Sequence, residues 1–363
     1  MKHFNILRLL ILAVIIFLAN LRFNQLNKQK PIETPLAVSM TAPYISDTPL
    51  ATFSGTSAKA ACLIDAKSGA VLYSHNENIR LPMASTTKIM TALVVLENMS
   101  PDTVVTVPKE VVKIEGSSIY LAPDEKITVE TLLYGLMLES GNDAAYTLAV
   151  ACSGSIDEFC NLMNEKAKSL GLIDTHFTNP HGLHNDEHYT TAYELCVIAA
   201  NALENETFRK ITSTKSMYAK STFSDAQRYF VNHNKLLRFY NGSIGVKTGF
   251  TKAAGRCLVT AAERDEERFV AVTLNDGNDW RDHTAMLDFG FENFDTLEIA
   301  AKDSFYIYGI NGKKFVPSQN VFLTVTKGEK AYVDYKVAFS ENGAQAEYFV
   351  DGKTCGKFLM KSV

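Results

Sequence analysis

Apolar and polar positions divide this chain into four stretches of different character. Residues 9–21 are apolar, broken only by Asn20. Residues 24–58 turn polar and carry Pro, Ser and Thr, the composition of a linker. From about Ala60 short apolar runs alternate with longer periodic ones. Apolar residues 61–65 and 70–73 flank Lys67, Ser68 and Gly69, a hairpin signal. The spacing predicts helices over 89–96, 128–138 and 143–151, with a Gly-containing break between the last two. Ser155 with Glu158, and Thr191 with Glu194, have capping-box spacing ahead of further periodic segments. Strand-like runs return at 245–247, 257–262 and 269–274, and a helix is expected over 281–289. Strands, a helical block, strands and a helix predict an α/β (α+β) domain: an antiparallel sheet flanked by helices. After Phe294 the segments 303–310, 313–317, 320–326, 331–339 and 345–350 are short and β-rich, with hairpin-type turns at Asn311–Gly312 and Asp351–Gly352. The expected division is 1–23 as signal or anchor, 24–58 as linker, 59–294 as the main domain and 295–363 as a small all-β domain.

Composition narrows the function classes. A hydrophobic content of 46% supports a packed core, and a net charge of −4 without a long basic run leaves no electrostatic footprint for nucleic acid. The six cysteines, at 62, 152, 160, 196, 257 and 355, form no C-x-x-C pair, so they read as small buried hydrophobes rather than a zinc or redox site. Disulfide pairing stays open for an exported chain. Lys2 and Arg8 precede or enter the apolar run, whose thirteen residues have the length of a signal-peptide core and fall short of a full span. No small-x-small cleavage site follows directly, and Arg22, Lys28 and Lys30 come next. Export is expected, by a cleaved signal or with the run kept as a membrane anchor.

The candidate chemistry lies in three short motifs: Ser85, Thr86, Thr87, Lys88; then Ser140, Gly141, Asn142; then Lys247, Thr248, Gly249. This ordered trio is the signature of active-site serine enzymes that use a lysine. A serine hydroxyl is a weak nucleophile until a base takes its proton. Ser85 and Lys88, three apart, share a face at a helix start, where free N–H groups favour a developing oxyanion. Lys88 acts as a base only when neutral, and burial near a second cation, Lys247, lowers its pKa. Taken singly the motifs are weak: S-x-N recurs at Ser74, Ser318 and Ser340. Their order, and the break in secondary structure at each, carry the reading. Four histidines, His176, His181, His184 and His188, sit near Asp174, Asp186 and Glu187. Pro180 and Gly182 make that stretch a loop or site rim, and no metal or other cofactor is expected.

On these residues the chain resembles the low-molecular-mass penicillin-binding proteins, the serine-type D-alanyl-D-alanine carboxypeptidases of peptidase family S11. The likeness extends over residues 81–92, 116–121, 138–145, 179–183, 188–192 and 245–251. It implies a β-lactamase/transpeptidase-like domain with a helical subdomain and a small C-terminal β domain. It also implies roles. Ser85 attacks the carbonyl between two terminal D-alanines, Lys88 takes its proton, and Ser140 passes a proton to the leaving amine. Asn142 holds the substrate amide, and Lys247 and Thr248 bind the terminal carboxylate. Gly249 lets the peptide lie against the strand as an added strand, and the N–H groups of Ser85 and Phe250 form the oxyanion hole. Arg281 stands about where some members carry an arginine near the carboxylate subsite. Peptidoglycan stem peptides are the implied substrates and β-lactams the implied covalent inhibitors. Two departures appear: Phe250 stands where some relatives have a polar residue, and the family's C-terminal amphipathic anchor is not found before Val363, so a tether is expected at the N-terminal run. The alternatives are a serine β-lactamase and a non-catalytic wall-binding protein. A Glu-x-x-Leu-Asn motif, which class A β-lactamases use for deacylation, is missing from residues 143–246.

Overall fold

A computed structural model describes residues 53–220, 227–309, 312–328, 332–340, 343–350 and 352–363. The N-terminal apolar run, the linker up to residue 52, Asn311 and Asp351 lie outside the described residues. Among those described, no helix is long and apolar enough to cross a membrane.

The expected hairpin forms from β1 (Ala60–Asp65) and β2 (Val71–His75). Two short ladders follow within the helical block: β3 (Val104–Thr106) with β4 (Lys126–Thr128), and β5 (Ser216–Lys220) with β6 (Gln227–Val231). The strands β7 (Ser243–Thr251), β8 (Gly255–Arg264) and β9 (Glu267–Leu274) complete a five-stranded antiparallel sheet in the order β2-β1-β9-β8-β7. That order leaves β7 at an edge. Each of these three strands is longer than its apolar core suggested.

Helices cover both faces of this sheet. In chain order they are α1 (Lys88–Asn98), α2 (Val129–Leu138), α3 (Asn142–Ser153), α4 (Ile156–Ser169), α5 (Ala192–Leu203), α6 (Glu206–Ser213), the short α7 (Leu236–Phe239) and α8 (Asp279–Asn293). Along β1, Ala60, Cys62 and Ile64 join the core of α1 and α5, while Ala61 and Leu63 join that of α8 through Met286, Leu287 and Phe291. Successive side chains thus point to opposite faces and both faces are dry, so the strand reads as a continuous apolar run. Side-chain caps start several helices: Thr128, Ser155, Thr191 and Asn205 each accept from the N–H three residues on. At Thr191 only half of the capping box forms. The Glu194 carboxylate turns away and accepts from the N–H groups of Ile173 and Asp174 and from Thr175 Oγ1 instead.

Beyond α8 the described chain is strands and turns: β10 (Phe294–Ala300), β11 (Ile307–Tyr308), β12 (Lys314–Pro317), β13 (Val321–Thr326), β14 (Val333–Ser340), β15 (Gly343–Val350) and β16 (Lys353–Ser362). β10 pairs with β13, and the rest form a sheet in the order β11-β12-β16-β15-β14. These strands bury their own apolar cluster around Phe315, Leu323, Tyr348 and Phe358. They meet the main sheet through the buried Asp65, whose Oδ2 accepts from Thr296 Oγ1 (2.8 Å) and Thr324 Oγ1 (2.7 Å). All six cysteines are free; Cys62, Cys160, Cys196 and Cys257 are buried.

Candidate active site

Ser85 lies in a 3-10 turn, Ala84–Thr87, that runs directly into α1. The tighter turn, rather than the first α-helical turn, brings Ser85 and Lys88 together. Lys88 Nζ is 3.0 Å from Ser85 Oγ. The same nitrogen donates to Asn142 Oδ1 at 2.7 Å and to the His181 carbonyl at 2.7 Å. The Asn142 amide is unambiguous, because its Nδ2 donates to the Glu115 carbonyl at 2.6 Å. Three stretches distant in sequence therefore enclose one amine.

Lys88 is fully buried, and its pKa falls well below the ordinary lysine value, first through desolvation and then through repulsion by Lys247. A neutral amine has two hydrogens and one lone pair. The Asn142 and His181 oxygens accept the two hydrogens, which leaves the lone pair facing the Ser85 hydroxyl. That arrangement allows the hydroxyl to pass a proton to the nitrogen.

The second motif occupies the turn between α2 and α3. Ser140 is buried and adopts φ +63°, which lets the chain reverse so that Asn142 begins α3. Beside it, the buried Asp143 carboxylate accepts from Ser118 Oγ and from the N–H groups of Ile119 and Leu121. Residues 116–121 are thereby pinned to α3. Asn142 N–H donates to the Ser117 carbonyl.

The third motif is on β7. Lys247 is buried and donates to the Thr248 carbonyl at 2.9 Å. Burial depresses its pKa to about 7, against a raising influence from Glu139. Gly249 brings β7 against the Ser85 turn: a Cβ there would stand 3.0 Å from Ser85 N and 3.1 Å from Thr86 N. Phe250 follows with its side chain exposed. Arg281, by contrast, is 80% exposed and its guanidinium lies 3.5 Å from Asp282. Among the described residues no hydrogen bond or ion pair joins Arg281 to Ser85 or Lys247.

Part of the wall had no motif-level signal. The His181 carbonyl on Lys88, the Glu115 carbonyl on Asn142 and the Pro180 carbonyl, which accepts from Thr91 Oγ1, are main-chain atoms that any residue offers. From the histidine loop, His181 lends its carbonyl to Lys88, burial and Lys88 push its own pKa down to about 4, and His188 is buried.

An antiparallel sheet with a serine–lysine pair at a helix start, facing the sheet's edge strand, is the arrangement shared by penicillin-binding proteins and serine β-lactamases. The comparisons agree. Residues 48–278 match the family model described as D-alanyl-D-alanine carboxypeptidase, peptidase S11. The D-alanyl-D-alanine carboxypeptidase DacF of Bacillus subtilis is 39% identical over 247 residues, 66% of this chain and 63% of that protein. The match thus spans less than two thirds of that relative's length. The D-alanyl-D-alanine carboxypeptidase of Streptomyces sp. strain K15 is 39% identical over 242 residues, 61% of this chain and 83% of that protein. Among solved structures, the Streptomyces K15 DD-transpeptidase aligns with TM-score 0.63 and 36% identity, covering 66% of this chain and 99% of its own. Penicillin binding protein 5 from Haemophilus influenzae aligns with TM-score 0.73 and 27% identity, over 86% of this chain and 98% of its own. The chain belongs to the D-alanyl-D-alanine carboxypeptidase family, peptidase S11.

Proposed function

We propose that this protein is a serine D-Ala-D-Ala carboxypeptidase that removes the terminal D-alanine from peptidoglycan stem pentapeptides. The observation that carries the reading is the Lys88 amine, with two carbonyl acceptors on its hydrogens and Ser85 Oγ 3.0 Å from the nitrogen. The Ser85 oxygen attacks the penultimate carbonyl while Lys88 takes its proton. The oxyanion forms between the N–H groups of Ser85 and Phe250, where one donor is typically worth about 3 kcal/mol. Ser140 relays a proton to the leaving amine, so free D-alanine departs. Water then hydrolyses the Ser85 ester and restores the hydroxyl. Lys247 and Thr248 hold the terminal carboxylate, Asn142 the substrate amide, and Gly249 leaves the edge of β7 free for the peptide backbone. Arg281 would assist at the carboxylate subsite only by turning away from Asp282, which lies 3.5 Å from its guanidinium. β-Lactams acylate the same serine.

The reading places the enzyme in the cell envelope, exported through residues 1–23 and carried on a linker over 24–58. Residues 59–294 form the catalytic domain and 295–363 a β-rich module. Intact-mass measurement after penicillin, with a time course, tests the assignment together with D-alanine release from a pentapeptide. A long-lived adduct on Ser85 supports it. Turnover within seconds favours a β-lactamase, and Ser85→Ala protein that still hydrolyses the peptide refutes it.

A further inference from the structure

The strongest unassigned feature near the site is the buried imidazole of His188. The Thr178 backbone N–H donates to His188 Nδ1 at 3.1 Å. A backbone N–H only donates, so Nδ1 carries the lone pair and Nε2 carries the hydrogen. Nε2 stands 2.7 Å from Thr87 Oγ1 and therefore donates to it. The Thr87 hydroxyl hydrogen then goes to the Ala84 carbonyl at 2.8 Å. The bonds run in one direction, from Thr178 N–H through the imidazole and the hydroxyl to Ala84 C=O. An imidazolium would set a second N–H against that of Thr178. Burial keeps the ring neutral, with its pKa pushed down to about 3.

The acceptor at the end of this chain is what gives it meaning. Ala84 C=O and Ser85 N–H belong to one planar peptide unit, so fixing the carbonyl fixes the direction of the N–H. Ala84 holds φ +48°, a left-handed conformation unfavourable to a residue with a Cβ. Gly182 packs over the same carbonyl so closely that a Cβ would stand 1.9 Å from it. The Ala84 carbonyl is thus bonded by Thr87 and closely covered by Gly182, whose Cβ position is also 2.9 Å from Thr87 Oγ1, while the edge strand β7 lies against Ser85 N at Gly249.

Resting on the proposed function, we propose that His188 is a positioning residue that aims the Ser85 N–H at the oxyanion, acting through Thr87. Bonds in series also polarise one another, which strengthens the last donor. The test is stopped-flow acylation by a chromogenic cephalosporin, resolved into noncovalent dissociation constant and limiting acylation rate, for wild type, His188→Leu, His188→Gln, Thr87→Val and the double variant Thr87→Val/His188→Leu. A donor misaimed rather than removed predicts a limiting rate down about 10–100-fold in His188→Leu, short of the roughly 100–1,000-fold for outright loss, with the dissociation constant within about threefold of wild type. His188→Gln, whose amide N–H reaches Thr87 in place of Nε2–H, recovers most of the rate. Thr87→Val matches His188→Leu, and the double variant loses little more. Additive losses, a change confined to the dissociation constant, or a glutamine no better than leucine overturns the brace while wild-type acylation leaves the reading of the site standing. Wild-type protein that is never acylated overturns both. Where His188→Leu fails to fold, the comparison of Thr87→Val with His188→Gln decides.

Discussion

Replacing Lys247 with methionine should stabilise this protein at neutral pH while disabling its site. The buried ammonium is the reason. Its pKa moves from 10.5 to about 7, which corresponds to ~5 kcal/mol between charged and neutral forms. The sign follows from proton counting. Between pH 7 and 10.5 the unfolded chain holds a proton that the folded chain lacks, so stability rises with pH across that window. Below pH 7 the full penalty stands, and above 10.5 it is gone. At pH 7 the cost is on the order of 4 kcal/mol, offset by about 1 kcal/mol for the hydrogen bond to Thr248 C=O. Methionine fills nearly the same volume without a charge, so Lys247→Met should gain about 2–3 kcal/mol at pH 7. The gain should shrink steadily by pH 9. Lys88 keeps part of its pH slope, because burial is the first cause of its depression, but loses the part due to Lys247. Urea unfolding at pH 7, 8 and 9 measures this directly, with penicillin uptake as the control for lost function. A variant less stable than wild type at pH 7, or two stability curves that run parallel from pH 7 to 9, would refute the reasoning.

Three further outcomes are expected. The acylation rate should follow a bell: it rises as Lys88 loses its proton and falls above about pH 7 as Lys247 discharges, with a carboxylate-bearing ligand moving the upper limb to higher pH; a flat profile from pH 5 to 10 contradicts it. Gly182→Ala forces a Cβ onto the Ala84 carbonyl at a position with φ +89°, so stability should drop by about 3 kcal/mol and acylation by more than about 100-fold, read by thermal unfolding and stopped-flow; near-normal acylation contradicts the close approach. Asp65→Ala strips the acceptor from Thr296 and Thr324, so hydrogen exchange in β10 and β13 should quicken, at a cost of about 2–4 kcal/mol, while Ser85 acylation stays within about twofold; unchanged exchange contradicts the junction.

Residues differ in how far the sequence announced them. Ser85 and Lys88 were legible because side-chain chemistry at fixed spacing is a local signal. Their turn was not: a 3-10 turn and the first turn of an α-helix share nearly the same residue preferences. The hairpin of β1 and β2 was marked by Lys67, Ser68 and Gly69, whereas β10 follows α8 with no loop to punctuate it. β16 contains Lys353, Gly356, Lys357 and Lys361, and that polar content concealed a strand of ten residues. Buried Asp279 and Asp282 extend α8 beyond its apolar core, because Arg256 and Ser57 satisfy their carboxylates across long sequence separations. Glu194 illustrates tertiary override: its spacing fits a capping box, but the N–H groups of Ile173 and Asp174 and the Thr175 hydroxyl offer three donors in place of one.

The donor count around Lys88 links folding to catalysis. Its two carbonyl acceptors, Asn142 Oδ1 and the His181 oxygen, are held by other contacts: Asn142 by Glu115, and the His181 loop by Thr91 on Pro180. Neither needs to move when the amine changes charge. As the neutral amine, Lys88 presents a lone pair to the Ser85 hydroxyl. In the proposed reaction, the ammonium formed by that proton presents a third N–H in the same direction, toward the oxygen that would carry the acyl group. One geometry serves both protonation states, so the proposed proton transfer carries little reorganisation cost. Two buried lysines destabilise the fold, and each is depressed first by desolvation. That burial arises where the helix start, the Ser140 turn, the histidine loop and the edge strand close on one another. Loosening any one wall would rehydrate Lys88, raise its pKa and deprive Ser85 of its proposed base, so on this reading the stability lost to burial and the reactivity gained have the same physical origin.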